Sequence, residues 1–174
     1  MAATKKGMRV LVFVFVDLMG PVWQDFESKN GPQLKQGQDA GKVTIEYRPI
    51  SSLDRMSQGT KYATRAAAAA ACVAANSPSN YKAYLDELYK DKPAENSSGL
   101  DNATLNEMAV SVGATGVSSC IDQQTYASYV TYSTELIIAH GLEGTPEVYV
   151  DGIKGDNVMP YRSEERRVGD EGRP

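Results

Sequence analysis

The chain has 174 residues, enough for one domain with a full hydrophobic core. Its net charge of −4 and pI near 5.1 carry no basic footprint for nucleic acid, and no apolar run reaches the roughly 18 residues a membrane span needs. There is one histidine, His140, and there are two cysteines, Cys72 and Cys120; a His-rich metal site is excluded, and so is a Cys-His or Ser-His nucleophile unless His140 supplies it. His140 stands just before Gly141 at the end of a helix-like run, a position that suits capping.

Lys5, Lys6 and Arg9 precede the apolar run Val10–Val16. The pattern reads as a short polar leader (1–7) and a buried strand. It does not read as a signal peptide, because no small-residue cleavage site follows and Asp17 ends the run. A continuous β-branched and aromatic run of this kind fits a central strand covered on both faces. Gly20-Pro21-Val22-Trp23 then opens a helix, with Pro21 expected in its first turn and Val22, Trp23 and Phe26 on one side. Asn30-Gly31-Pro32 is expected to break or kink that helix. Val43, Ile45 and Tyr47 alternate in a second strand that should end near Pro49, which completes a βαβ unit.

A helical block follows. Tyr62–Ala75 contains six consecutive alanines, Ala66–Ala71, and should be a helix able to lie close to its neighbours. Asn76-Ser77-Pro78 ends it, and Tyr81, Tyr84, Leu85 and Leu88 mark the apolar face of the next. Residues 90–99 read as a loop. Thr104 and Glu107 have the spacing of a capping box opening a helix through Leu105, Met108, Ala109 and Val112. A further helix is expected over about 125–140. Pro146–Val150 then reads as a short strand ending in the Asp151-Gly152 turn, with a weaker return strand over 153–158.

Four stretches, in this order, resemble the DsbA-like branch of the thioredoxin superfamily, in particular its actinobacterial-type members. They are Asp17–Glu27, which looks like the family's Cys-Pro-x-Cys-x-x-Phe-Glu segment with both cysteines replaced; Gly41–Arg55; the Ala-rich helix from Thr64-Arg65 to Cys72; and Gly144–Gly152, which looks like the cis-proline loop and its strand. The likeness covers about residues 8–158. It implies an α/β thioredoxin-like fold with an inserted helical subdomain at about 57–140, within a domain of residues 8–161. The tail over 162–174 is charged and lacks an apolar face, so it is expected to be disordered or non-native.

The resemblance also implies a function. The family's first cysteine is a nucleophilic thiolate and its second resolves the mixed disulfide with the substrate. Gly20 and Trp23 stand at those positions, with Pro21 and Val22 between them, so the redox motif reads as vacated and dithiol exchange as lost. Thr145 and Pro146 match the substrate-binding loop, and a cis bond is expected between them. Cys72 and Cys120 match the family's extra pair, implying a structural disulfide and an oxidising, extracytoplasmic setting. Such a protein would draw its export signal or tether from a segment this chain lacks. The implied partners are unfolded or extended polypeptides and a membrane redox partner, with no cofactor. Two other readings stand beside this one: a non-catalytic peptide-binding chaperone or scaffold, and a glutathione-dependent transferase or isomerase on the same fold. The latter usually places a hydroxyl near the strand-helix turn, and none stands at 20–23. Asp17, one turn ahead of the motif, reads as a strand-end carboxylate rather than a proton relay.

Overall fold

In the computed structural model, which describes residues 9–155, the first apolar run becomes β1 (Val10–Asp17). Parallel β2 (Val43–Ile50) flanks it on one side. Antiparallel β3 (Glu147–Val150) lies on the other and turns back into β4 (Ile153–Lys154). The sheet order is β2-β1-β3-β4. This central placement accounts for the composition of β1, where Val12, Val14, Phe15 and Val16 are all buried. β2 ends at Ile50, one residue past Pro49, as expected. Because β2 is an edge strand, a residue without an N–H costs the ladder little there.

α1 (Trp23–Asp39) connects β1 to β2 and corrects two expectations. Pro21 lies in the turn, two residues ahead of the first helical residue, and not in the helix. The helix also runs unbroken through Asn30-Gly31-Pro32. An internal proline costs about 3 kcal/mol in a helix. Tertiary packing offsets that, since the continued helix buries Leu34 and brings Gly37 onto β2. A Cβ on Gly37 would stand 2.7 Å from Val43 Cγ2, so only glycine allows this approach.

Between β2 and β3 the chain is helical. A 3-10 turn (Asp54–Met56) leads to α2 (Tyr62–Asn76), α3 (Tyr81–Lys90), α4 (Asn102–Ser111), α5 (Ser118–Asp122) and α6 (Ala127–Ala139). α2 is almost wholly core, with Ala66–Ala70, Cys72 and Val73 buried. Its methyl side chains let α3, α4, α5 and α6 all pack against it. Its first turn is tied down from both directions. The Thr64 N–H and hydroxyl donate to the Asp54 carboxylate at 2.9 and 2.6 Å, and Arg65 donates to the Leu100 carbonyl at 2.6 Å.

The expected Thr104–Glu107 capping box does not form. α4 begins at Asn102 and its cap is Asp101, whose carboxylate accepts from the Thr104 N–H at 2.8 Å. Aspartate caps as well as threonine, and Asp101 has the extended backbone a cap requires. The helix expected over 125–140 is α6 alone, and Cys120 sits in the separate short helix α5. His140 does cap α6, with Nδ1 2.7 Å from the Leu136 carbonyl. The leader at 1–7, the return strand beyond Gly155 and the tail from Arg162 lie outside the described residues.

Candidate functional site

At the carboxyl end of β1 the chain turns through Leu18–Val22 into α1. Asp17 organises this turn. Its side chain is 2% exposed and accepts from the Met19 N–H at 3.0 Å, the Leu53 N–H at 2.9 Å and the Ser52 hydroxyl at 3.0 Å. Its backbone carbonyl accepts from the Gly20 N–H at 2.9 Å. Burial pushes the Asp17 carboxyl above its ordinary value of 3.8, while the two N–H groups and the Ser52 hydroxyl pull it back. Asp17 therefore acts as a strand-end carboxylate that joins the turn to the segment after β2.

Gly20 is buried and faces the loop ahead of β3. A Cβ placed on it would stand 3.6 Å from Thr145 Oγ1 and 3.1 Å from the Asp17 carbonyl. The register explains the meeting. Glu147 pairs with Phe15, so the residues just before β3 arrive beside the end of β1. The Thr145–Pro146 peptide bond is cis, as expected.

Trp23 points inward and is 4% exposed. Its ring stacks on Tyr89 of α3 with centroids 4.6 Å apart and planes at 14°, and meets Tyr47 of β2 edge-on at 5.3 Å. The Tyr89 hydroxyl donates to the Asp17 carbonyl at 3.2 Å, and the Tyr47 hydroxyl to Glu27 Oε1 at 3.1 Å. Burial raises both tyrosine pKa values. The fourth residue of the turn is thus the centre of an aromatic cluster built from α1, β2 and α3. Between Gly20, Trp23, Tyr89 and Pro146 a shallow cleft remains, too narrow to admit a water molecule.

The chain's two cysteines are elsewhere. Cys72 and Cys120 form a disulfide joining α2 to α5, with Cα atoms 5.8 Å apart. Neither offers a thiol to the cleft. Among the described residues no cluster of His, Cys, Asp and Glu has the makings of a metal site. Of the residues singled out in the sequence, Gly20, Val22, Trp23, Thr145 and Pro146 line one cleft, while Pro21 is exposed in the turn; the disulfide lies in the helical block. Ser52, Leu53 and Tyr89 escaped the sequence reading. Tyr89 had a signal, since it follows Leu85 by four residues on a helix, whereas nothing local marks Ser52 or Leu53 as partners of Asp17.

Comparison with known proteins agrees with this architecture. The thioredoxin family model, described as "Thioredoxin", matches residues 6–166. The disulfide bond oxidoreductase DsbG of Mycobacterium tuberculosis superposes with a TM-score of 0.76 at 32% identity, over 88% of this chain and 76% of that one. Reduced DsbA of the same organism gives 0.76 at 31% identity, over 88% and 80%. BdbD of Bacillus subtilis, at 23% identity and a TM-score of 0.72, covers 87% of this chain and 81% of its own and shares the fold. The serine/threonine-protein kinase PknE of M. tuberculosis is 32% identical over 130 residues, 70% of this chain; the chain spans only 22% of the length of that curated relative. Among the described residues no helix is long and apolar enough to cross a membrane. With the strand order, the helical block between β2 and β3, the cis-proline loop and these matches in hand, the chain belongs to the thioredoxin family, in its DsbA-like branch.

Proposed function

We propose that this chain is a DsbA-like thiol-disulfide oxidoreductase by descent whose redox site has been emptied, so that it does not carry out dithiol exchange. The observation that carries this reading is the pairing of Gly20 and Trp23 with the Thr145–Pro146 loop at the amino end of α1. In the proposal Gly20 stands for the nucleophilic cysteine and Trp23 for the resolving one. Exchange needs a thiolate, which attacks the substrate disulfide and is then released by a second thiol. Glycine and tryptophan supply neither, and the chain's two cysteines are committed to the bond between α2 and α5. A structural disulfide supports an oxidising, extracytoplasmic setting.

A second reading is favoured by the loop itself. Thr145 and Pro146 remain half-exposed beside the turn, so a non-catalytic protein that holds extended polypeptides there is the alternative. A glutathione-dependent activity has no such support at residues 20–23.

One assay separates the two. Reduction and oxidation of a model disulfide peptide are followed with the present chain and with a Gly20→Cys, Trp23→Cys double variant whose folding is checked by circular dichroism. The expected result is no turnover by the present chain and turnover by the variant. Turnover by the present chain overturns the assignment. Should the double variant fail to fold, Gly20→Cys alone is expected to attack the model disulfide peptide, forming a mixed disulfide and releasing one peptide thiol, without turning over. Saturable peptide binding without turnover, abolished by Thr145→Arg, selects the second reading.

A further inference from the structure

A larger cavity lies away from this cleft, between β2, α2 and α6. It measures about 370 Å³, within the range that holds small organic ligands. Its inner wall comes from Phe15 and Ile50 of the sheet, both buried. Ala67, Ala71 and Ala74 of α2 form a second side, and short side chains at these positions leave the space open. Tyr81, Tyr129 and Leu136 complete it. The Tyr81 hydroxyl is committed to the Tyr47 carbonyl at 2.8 Å, so the cavity meets its ring and not a free hydroxyl. Tyr129 and Leu136 stand at the mouth 60% and 46% exposed, a cost in apolar surface that a bound apolar molecule would remove.

The charges at the mouth define the ligand. Glu46 and Arg48 both line the cavity, but they bind each other at 2.6 Å, and Arg48 also sits over the Phe13 ring at 4.6 Å. Paired in this way they bring no net charge to the mouth, and a charged group brought into such a cavity unpaired pays a desolvation cost. Among the other polar side chains of the lining, Ser133 and His140 are anchored by single contacts to the Val130 and Leu136 carbonyls. Each keeps hydrogen-bonding capacity.

We propose that this cavity is a binding site for an uncharged, ring-containing small molecule, held by Phe15, Tyr81 and Tyr129 and oriented by one hydrogen bond at Ser133 or His140. The site is independent of the Gly20–Pro146 cleft and of the redox reading.

The test uses the full chain and two dyes that share a ring system, neutral N-phenyl-1-naphthylamine and its sulfonate, 8-anilino-1-naphthalenesulfonate, titrated by fluorescence. The neutral dye is expected to saturate at one molecule per chain and to bind at least ten-fold more tightly than the sulfonate. Ala71→Leu should weaken it ten-fold or more by filling the space. Tyr129→Ser, at an exposed position that spares the fold, should weaken it several-fold. Tyr132→Ser, on the same helix but outside the cavity, should leave it unchanged. Circular dichroism confirms that each variant is folded. Absence of saturable binding overturns the proposal, as does a loss with Tyr132→Ser equal to that with Tyr129→Ser. Equal affinity for the sulfonate overturns the assignment of an uncharged ligand.

Discussion

Two regions of this molecule invite the same question about sulfur. In the helical block, Cys72 lies at the buried face of α2 and is bonded to Cys120 of α5, where it closes a loop of 48 residues. At the end of β1, the turn into α1 has Thr145–Pro146 opposite Gly20 and no cysteine. The second region has not become a void. Trp23 fills it, stacked on Tyr89 and braced by Tyr47. The two cysteines of this protein have a structural use, and the turn beside the cis-proline loop is packed as core.

That contrast can be broken most sharply by restoring the chemistry. The Gly20→Cys, Trp23→Cys variant should turn over a model disulfide peptide where the present chain does not, an all-or-none difference read by peptide mass or fluorescence. The next largest effect tests whether Trp23 is core. Trp23→Ala removes a large buried side chain and should cost about 3–5 kcal/mol in chemical denaturation; an effect under about 1 kcal/mol would mean that the aromatic cluster is not structural. Comparable or smaller is the loss of the Cys72–Cys120 bridge. Cys72→Ala with Cys120→Ala releases a 48-residue loop, worth roughly 4 kcal/mol in the chain-entropy model. Mass spectrometry of unreduced protein should first show the linked Cys72–Cys120 peptide, and two free thiols labelling in folded protein would contradict it.

The smallest effect concerns Asp17. Its carboxyl titrates above 3.8 in the folded protein because of burial. The folded state then holds this proton more tightly than the unfolded chain. Its contribution to stability is full below pH 3.8 and is lost as pH rises to the folded value. A carboxyl-carbon titration by NMR should show the raised value, and Ser52→Ala, which removes one bond to the ionised form, should raise it further. A value below 3.8 would contradict the account of burial.

The elements whose signals are local were legible. The β-branched run of β1, the alanines of α2 and the 81-84-85-88 face of α3 each announce a period or a propensity that their surroundings reinforce. Boundaries fared worse where tertiary packing outweighed local preference. Asn30-Gly31-Pro32 should break or kink α1, yet burial of Leu34 and the fit of Gly37 on Val43 carry the helix past it without a break. Thr104 has the spacing of a cap, yet Asp101 is the residue that leaves the loop with extended backbone and takes the role.

What the amino-acid sequence determined alone was the chemistry available: no thiol, hydroxyl or histidine at residues 20–23, since residue identity sets reactivity whatever the fold. It also determined the order of strands and helices, because periodicity is a local property. The tertiary structure alone decided what packs around the turn at residues 20–23. Trp23, Tyr47 and Tyr89 belong to α1, β2 and α3, and Asp17 meets Ser52 and Leu53 across the strand end. Contacts between residues so far apart in the chain exist only once burial of the core has drawn their elements together.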